Sequence, residues 1–135
     1  MPVQLSWYLE NRVILMVNHD GSSDQELLEL DQPVINYLNQ SNASLVHLIW
    51  NNNDSKYMPS INATKALQFP KHPQFGWTIT VGLNNPLQRF IVAVANAFFK
   101  SRVRMVNTMD EALDFLNEVD GTLPALRDNV LDKAS

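Results

Sequence analysis

Four short polar clusters stand out as candidate sites in this chain: Asn18-His19-Asp20, Asn51-Asn52-Asn53-Asp54, Asn84-Asn85 and Asn107-Thr108. Each follows an apolar run. If those runs are parallel strands, the clusters gather along one rim at the strands' carboxyl ends, where sites form in open α/β sheets. Asn18, His19, Asp20, Asn52, Asp54, Asn84 and Asn85 are then the candidate rim site for a polar ligand or a partner's loop. The same residue types serve turns and helix caps, so both readings stand. His19, Asp20 and Asp54 are ligand types without metal-ligand spacing, and no metal site is predicted. His47 lies inside an apolar run and reads as a core histidine. His72, between Lys71 and Pro73, reads as loop. No serine has a His and an acid at recognisable spacing, and there is no glycine-rich phosphate loop. No catalytic residue and no cofactor are predicted.

Composition narrows the classes. The chain has 135 residues, 45% of them hydrophobic, enough for one domain burying roughly two thirds of its unfolded surface. Its net charge is −4 with a pI near 5.2, and the ten Lys and Arg are scattered. No basic stripe exists to neutralise phosphates, which argues against nucleic acid. Cysteine is absent, removing disulfides, thiolate nucleophiles and Cys-ligated metals. The N-terminus shows no secretory pattern, and no run approaches the ~20 apolar residues of a membrane span. The expected compartment is the cytoplasm.

The elements that must position these residues follow from periodicity. Leu45 to Trp50 is continuously apolar or nearly so, the pattern of a strand covered on both faces. Leu5, Trp7 and Leu9 alternate with polar residues as an edge strand does. Val13 to Val17 forms a second strand close enough to pair with it as an antiparallel hairpin. Ser23 with Glu26 makes a capping box for a helix to about Asn39, kinked at Pro33 or split there. A short helix around Pro59–Leu67 precedes a strand at Trp77–Val81. Asn85 caps a helix Pro86–Phe99 with Pro86 at its first position. Val103–Val106 is a last strand. Thr108 with Glu111 caps a final helix whose Ala112, Phe115, Leu116 and Val119 face the core. The order implies an α/β fold with a mixed, mostly parallel sheet of about five strands and about four helices. One domain is placed over residues 3–121, with a tail over 122–135.

This pattern resembles the STAS-like, SpoIIAA-like proteins, the fold of bacterial anti-sigma factor antagonists. The resemblance rests on the N-terminal hairpin, the middle strand Leu45–Trp50, Gly76 to Gly82 before a helix, and Arg102 to Thr108 leading into Glu111 to Leu116. It implies a non-catalytic interaction or regulatory module whose partner is another protein or a second copy of the chain. The same broad fold class includes CRAL-TRIO carriers, so a small-molecule or lipid binder with a cavity under the helices is the alternative. In the antagonists a Ser or Thr in an Asp-Ser-Ser/Thr-Gly context is phosphorylated. The matching stretch here is Pro59-Ser60-Ile61-Asn62, which puts Ser60 at that position, with Pro59 for the Asp and Asn62 for the Gly. Ser60 is expected to act as a helix cap.

The helix Pro86–Phe99 is apolar nearly all round. Leu87, Phe90, Ile91, Val94 and Phe98 fit a core stripe. That leaves Val92 and Phe99 as a candidate association surface, available for a homodimer or a protein partner.

Overall fold

The computed structural model describes residues 3–19, 23–54, 60–83, 85–100 and 102–127. Among these residues five strands form one sheet in the order β1 (Val3–Leu9), β2 (Val13–His19), β3 (Val46–Asp54), β4 (Phe75–Val81) and β5 (Arg102–Val106). β1 and β2 are antiparallel, and every later pairing is parallel. The described residues form four helices, α1 (Asp24–Gln40), α2 (Ile61–Ala66) and α3 (Pro86–Phe99) between successive strands and α4 (Met109–Val119) after β5, with a 3-10 turn at Phe69–Lys71. The expected α/β class, hairpin and parallel strands are all present. No described helix is long and apolar enough to cross a membrane.

The caps sit where the sequence puts them. Ser23, Asn85 and Thr108 accept from the backbone N–H of Glu26, Leu87 and Glu111, respectively. α1 runs through Pro33 as one helix. β3 lies between β2 and β4, and Val46 to Ile49 are fully buried. The strand also runs past Trp50 through the Asn cluster to Asp54.

Connections of one hand between neighbouring parallel strands deliver their helices to one face of the sheet. α1, α2 and α3 accordingly share a face. Ile14, Met16, Leu48, Trp50 and Phe75 from the sheet meet Leu27, Val34, Leu38, Leu67 and Phe69 there, with Phe99 packed at the margin. No described strand follows α4, so it is free to cover the other face. Val13, Ile49, Ile79 and Val81 pack there against Ala112, Leu113 and Leu116.

Two expectations about helix faces are corrected. In α4 Leu113 is buried, while Val119 is 40% exposed. Phe115 lies half-buried, edge-on to Trp77 at 4.9 Å. In α3 the core stripe is rotated. Ile91 is buried as expected, but Leu87, Phe90 and Phe98 are 52%, 57% and 48% exposed, and Gln88 is buried where a polar face was expected. Ile91, Val92, Ala95 and Phe99 are the α3 side chains that turn towards Trp50 and Phe69.

Leu123 and Leu126, placed in the tail by sequence, are buried in the second core. Asn117 holds this segment by donating to Pro124 O (2.7 Å) and accepting from Leu126 N–H (3.0 Å). Tyr8 OH donates to Leu126 O at 3.2 Å.

Candidate functional sites

The carboxyl rim forms in part. Asn18 and Asn52 end β2 and β3 on the face carrying α1 to α3. Both are buried, and Asn18 Nδ2–H donates to Asn52 Oδ1 at 2.9 Å. Asn52 Nδ2–H in turn donates to Trp50 O at 3.1 Å. A buried amide pair satisfied in this way ties two strands together. His19 and Asp54 are register partners at the ends of β2 and β3. Asn85 Oδ1 accepts from Leu87 N–H at 2.8 Å and so serves as a cap. Asp20 and Asn84 lie outside the described residues. Among the described residues no group of three or more His, Asp or Glu side chains could hold a metal ion.

Ser60 caps α2. Its Oγ accepts from Ala63 N–H at 3.0 Å, its own N–H donates to Asp24 Oδ1 at 3.1 Å, and Thr64 Oγ1–H donates to its carbonyl at 2.8 Å. A phosphate on this hydroxyl would share the site with the Asp24 carboxylate, and like charges at such range repel. Ser60→Ala removes the cap and is expected to lower the unfolding free energy by about 1 kcal/mol, read from the urea midpoint. An unchanged midpoint would show that the cap bond adds nothing.

At the opposite end of the sheet lies a polar node that the sequence did not announce. His47 on β3 is fully buried. Its Nδ1 accepts from Trp77 N–H at 2.9 Å, which leaves Nε2 as the protonated nitrogen, donating to Asp120 Oδ2 at 2.9 Å. Arg12, in the turn before β2, reaches the same carboxylate oxygen at 3.2 Å and also bonds Thr122. Burial lowers the His47 pKa. The hydrogen bond and charge of Asp120 offset part of this, while Arg12 and Arg102 add to it. For Asp120, burial pushes upward, but hydrogen bonds from Thr122 and His47 outweigh it and hold the carboxyl at about 2. His47 has no nitrogen left for a substrate, so the node clamps structure and offers no general base. His72 is similarly engaged, with Nε2 on Asn39 Oδ1 and Nδ1 accepting from Gln74 N–H.

α3 presents two surfaces. Outward, Leu87, Phe90 and Phe98 are bare. Inward, Val92 and Phe99 are half-buried and line a cavity of about 60 Å³ between α2, the 3-10 turn and the sheet. The two residues expected to form an association surface therefore face this cavity, and the exposed apolar stripe lies on the other side of the helix.

No family model matches this chain, nor does any curated protein or solved structure.

Proposed function

We propose that this chain is a non-catalytic, cytoplasmic interaction module of the STAS-like kind, and that α3 is its docking helix. The hairpin followed by three parallel helix crossovers supports the likeness. The observation that carries the reading is the outward stripe of Leu87, Phe90 and Phe98. Large apolar side chains grouped on one helix face mark interaction surfaces more often than scattered ones do.

Charge favours one occupant. α2 and α3 contain no acid, and the Lys65 ammonium is the cation placed against the stripe. Lys65 Nζ lies 5.2 Å from the Phe98 ring centre. A second copy docked face to face would set like charges against each other. A partner segment presenting apolar side chains flanked by Asp or Glu complements the patch.

The test uses an amphipathic helical peptide with Leu on one face and Glu flanking it, compared with the same peptide carrying Lys for Glu. The full chain should bind the Glu peptide at least about tenfold more tightly, and added salt should weaken it. Phe90→Glu should stay within about 0.5 kcal/mol of wild-type stability and lose that binding. Equal binding of the two peptides, or undiminished binding by Phe90→Glu, would overturn the proposal. So would a dimer in sedimentation that Phe90→Glu disperses, since the occupant would then be a second copy.

A further inference from the structure

We infer that the open edge of β5 takes up an extended peptide, alternately acidic and apolar, as an added antiparallel strand. The inference concerns the sheet and does not rest on the docking role given to the outward face of α3.

The backbone supplies the first observation. β5 is the last strand of the sheet, and no described strand lies beyond it. It pairs with β4 in unbroken register, from Trp77 opposite Arg102 to Val81 opposite Val106. Val106 O accepts from Gly82 N–H at 3.0 Å. That bond turns the backbone polar groups of Val106 towards β4, and the alternation of a parallel ladder does the same for Arg104 and Arg102. The N–H and C=O of Val103 and of Met105 therefore point out of the sheet. A row of such groups is a template for another strand.

Charge supplies the second. Between Asp54 and Asp110 the chain has no acidic residue, and Lys100, Arg102 and Arg104 are the densest group of its Lys and Arg. All three are exposed, and among the described residues none of them is in an ion pair. Arg104 Cζ lies 5.1 Å over the Phe115 ring of α4, and strand alternation puts Arg102 on the same face. Val103 and Met105 alternate to the other face and are half-buried, with Val103 reaching the cavity under α3. The edge thus offers arginines on one face and apolar side chains on the other.

These two observations select the occupant. A second β5, paired antiparallel over its full length, would set Arg104 opposite its own copy, and like charges directly opposite are destabilising. A strand with Glu opposite Arg102 and Arg104, and Val opposite Val103 and Met105, reverses that sign. In this antiparallel register Val103 and Met105 each exchange both backbone bonds with the residue opposite. Arg104 then falls at a non-hydrogen-bonded pair, where side chains approach most closely. The backbone bonds give the grip, and the arginines choose the partner.

The probe is the capped peptide acetyl-Glu-Val-Glu-Val-Glu-amide, titrated into the full chain while the backbone amides are followed by NMR. The Val103 and Met105 signals should shift saturably, and their hydrogen exchange should slow by about tenfold near saturation. The same peptide with Lys for Glu should bind about tenfold more weakly. Methylating both valine nitrogens removes the donors aimed at Val103 and Met105 and should weaken binding at least about tenfold. Arg104→Glu, a change at an exposed side chain, should bind the Lys peptide better than the Glu peptide. No saturable shift up to roughly 10 mM peptide, or shifts confined to β1 or to α3, would overturn the inference. Equal binding of the methylated peptide would overturn it too, since charge alone would then hold the ligand. So would an unreversed preference in Arg104→Glu, or a wild-type dimer in which the Val103 and Met105 amides are already protected, because the occupant would then be a second copy.

Discussion

Gly76→Ala is expected to destabilise the protein by about 4 kcal/mol, a large effect for a single added methyl group. A Cβ at this position would press into the imidazole of His47, overlapping Nδ1 and lying 2.7 Å from Cε1. The ring cannot yield cheaply. It is fully buried, and both its nitrogens are committed, one to Trp77 N–H and the other to Asp120. Displacing it therefore combines overpacking with the loss of two buried hydrogen bonds. Gly121→Ala is the matched control, because an added Cβ there meets nothing within 4 Å. It should remain within about 0.5 kcal/mol of wild type. Combining Gly76→Ala with His47→Ala should cost less than the two single changes added together, since the second removes the obstacle created by the first. Urea unfolding of the single and double variants decides the matter. Full additivity, or a Gly76→Ala protein as stable as wild type, would mean that the glycine is not there to admit the histidine.

This pairing shows which parts of the fold were open to sequence reasoning. Signals confined to a few neighbouring residues were legible. Ser23, Asn85 and Thr108 cap helices because cap chemistry needs only a side-chain oxygen and the next turn's N–H. The strand at Leu45–Trp50 was legible because an unalternated apolar run of that length has few other homes. α3 was legible as a helix but not in its rotation. With Ala, Val, Ile and Phe on every side, its pattern points in no single direction, so its rotation is set only by contacts with distant parts of the chain. That is why Val92 and Phe99 face a cavity while Leu87, Phe90 and Phe98 face outward. The His47–Asp120 contact was not legible at all. Its partners are 73 residues apart, and neither has a neighbour that hints at the other. Leu123 and Leu126 were hidden for a similar reason, since their burial depends on Asn117 turning the chain back onto α4. Of the candidate rim, Asn18 and Asn52 did come together, but as a satisfied pair that joins strands.

Asp120→Ala is expected to cost about 3 kcal/mol at neutral pH, and the cost should change with pH in a defined order. The carboxylate is the only described acceptor for His47 Nε2–H, and it also draws Arg12 and Thr122 onto the turn after α4. Removing it leaves a buried N–H unpaired and releases the strap that carries Leu123 and Leu126. The pH dependence follows from proton counts in the two states. His47 is held below its ordinary value in the folded protein, so the unfolded chain takes up a proton first as pH falls through about 6.5. Stability is therefore full above that pH and declines below it. Asp120 is also depressed, from 3.8 to about 2. Its contribution is present above the unfolded value and is lost as pH falls from about 4 towards 2. Wild type should thus lose stability in two stages, the first from the histidine and the second from the aspartate. Asp120→Ala lacks the second stage. It also lacks the carboxylate that pulls the His47 pKa upward, so its first stage should run on to lower pH than in wild type. The gap between the two proteins should accordingly hold or widen between about pH 7 and 4.5, then narrow between about 4.5 and 2.5. Urea midpoints at those three pH values separate the contributions. A gap that stays constant from pH 4.5 to 2.5 would show that the Asp120 carboxylate is not held in its charged form by the node, and that Arg12 and His47 meet it without consequence for folding.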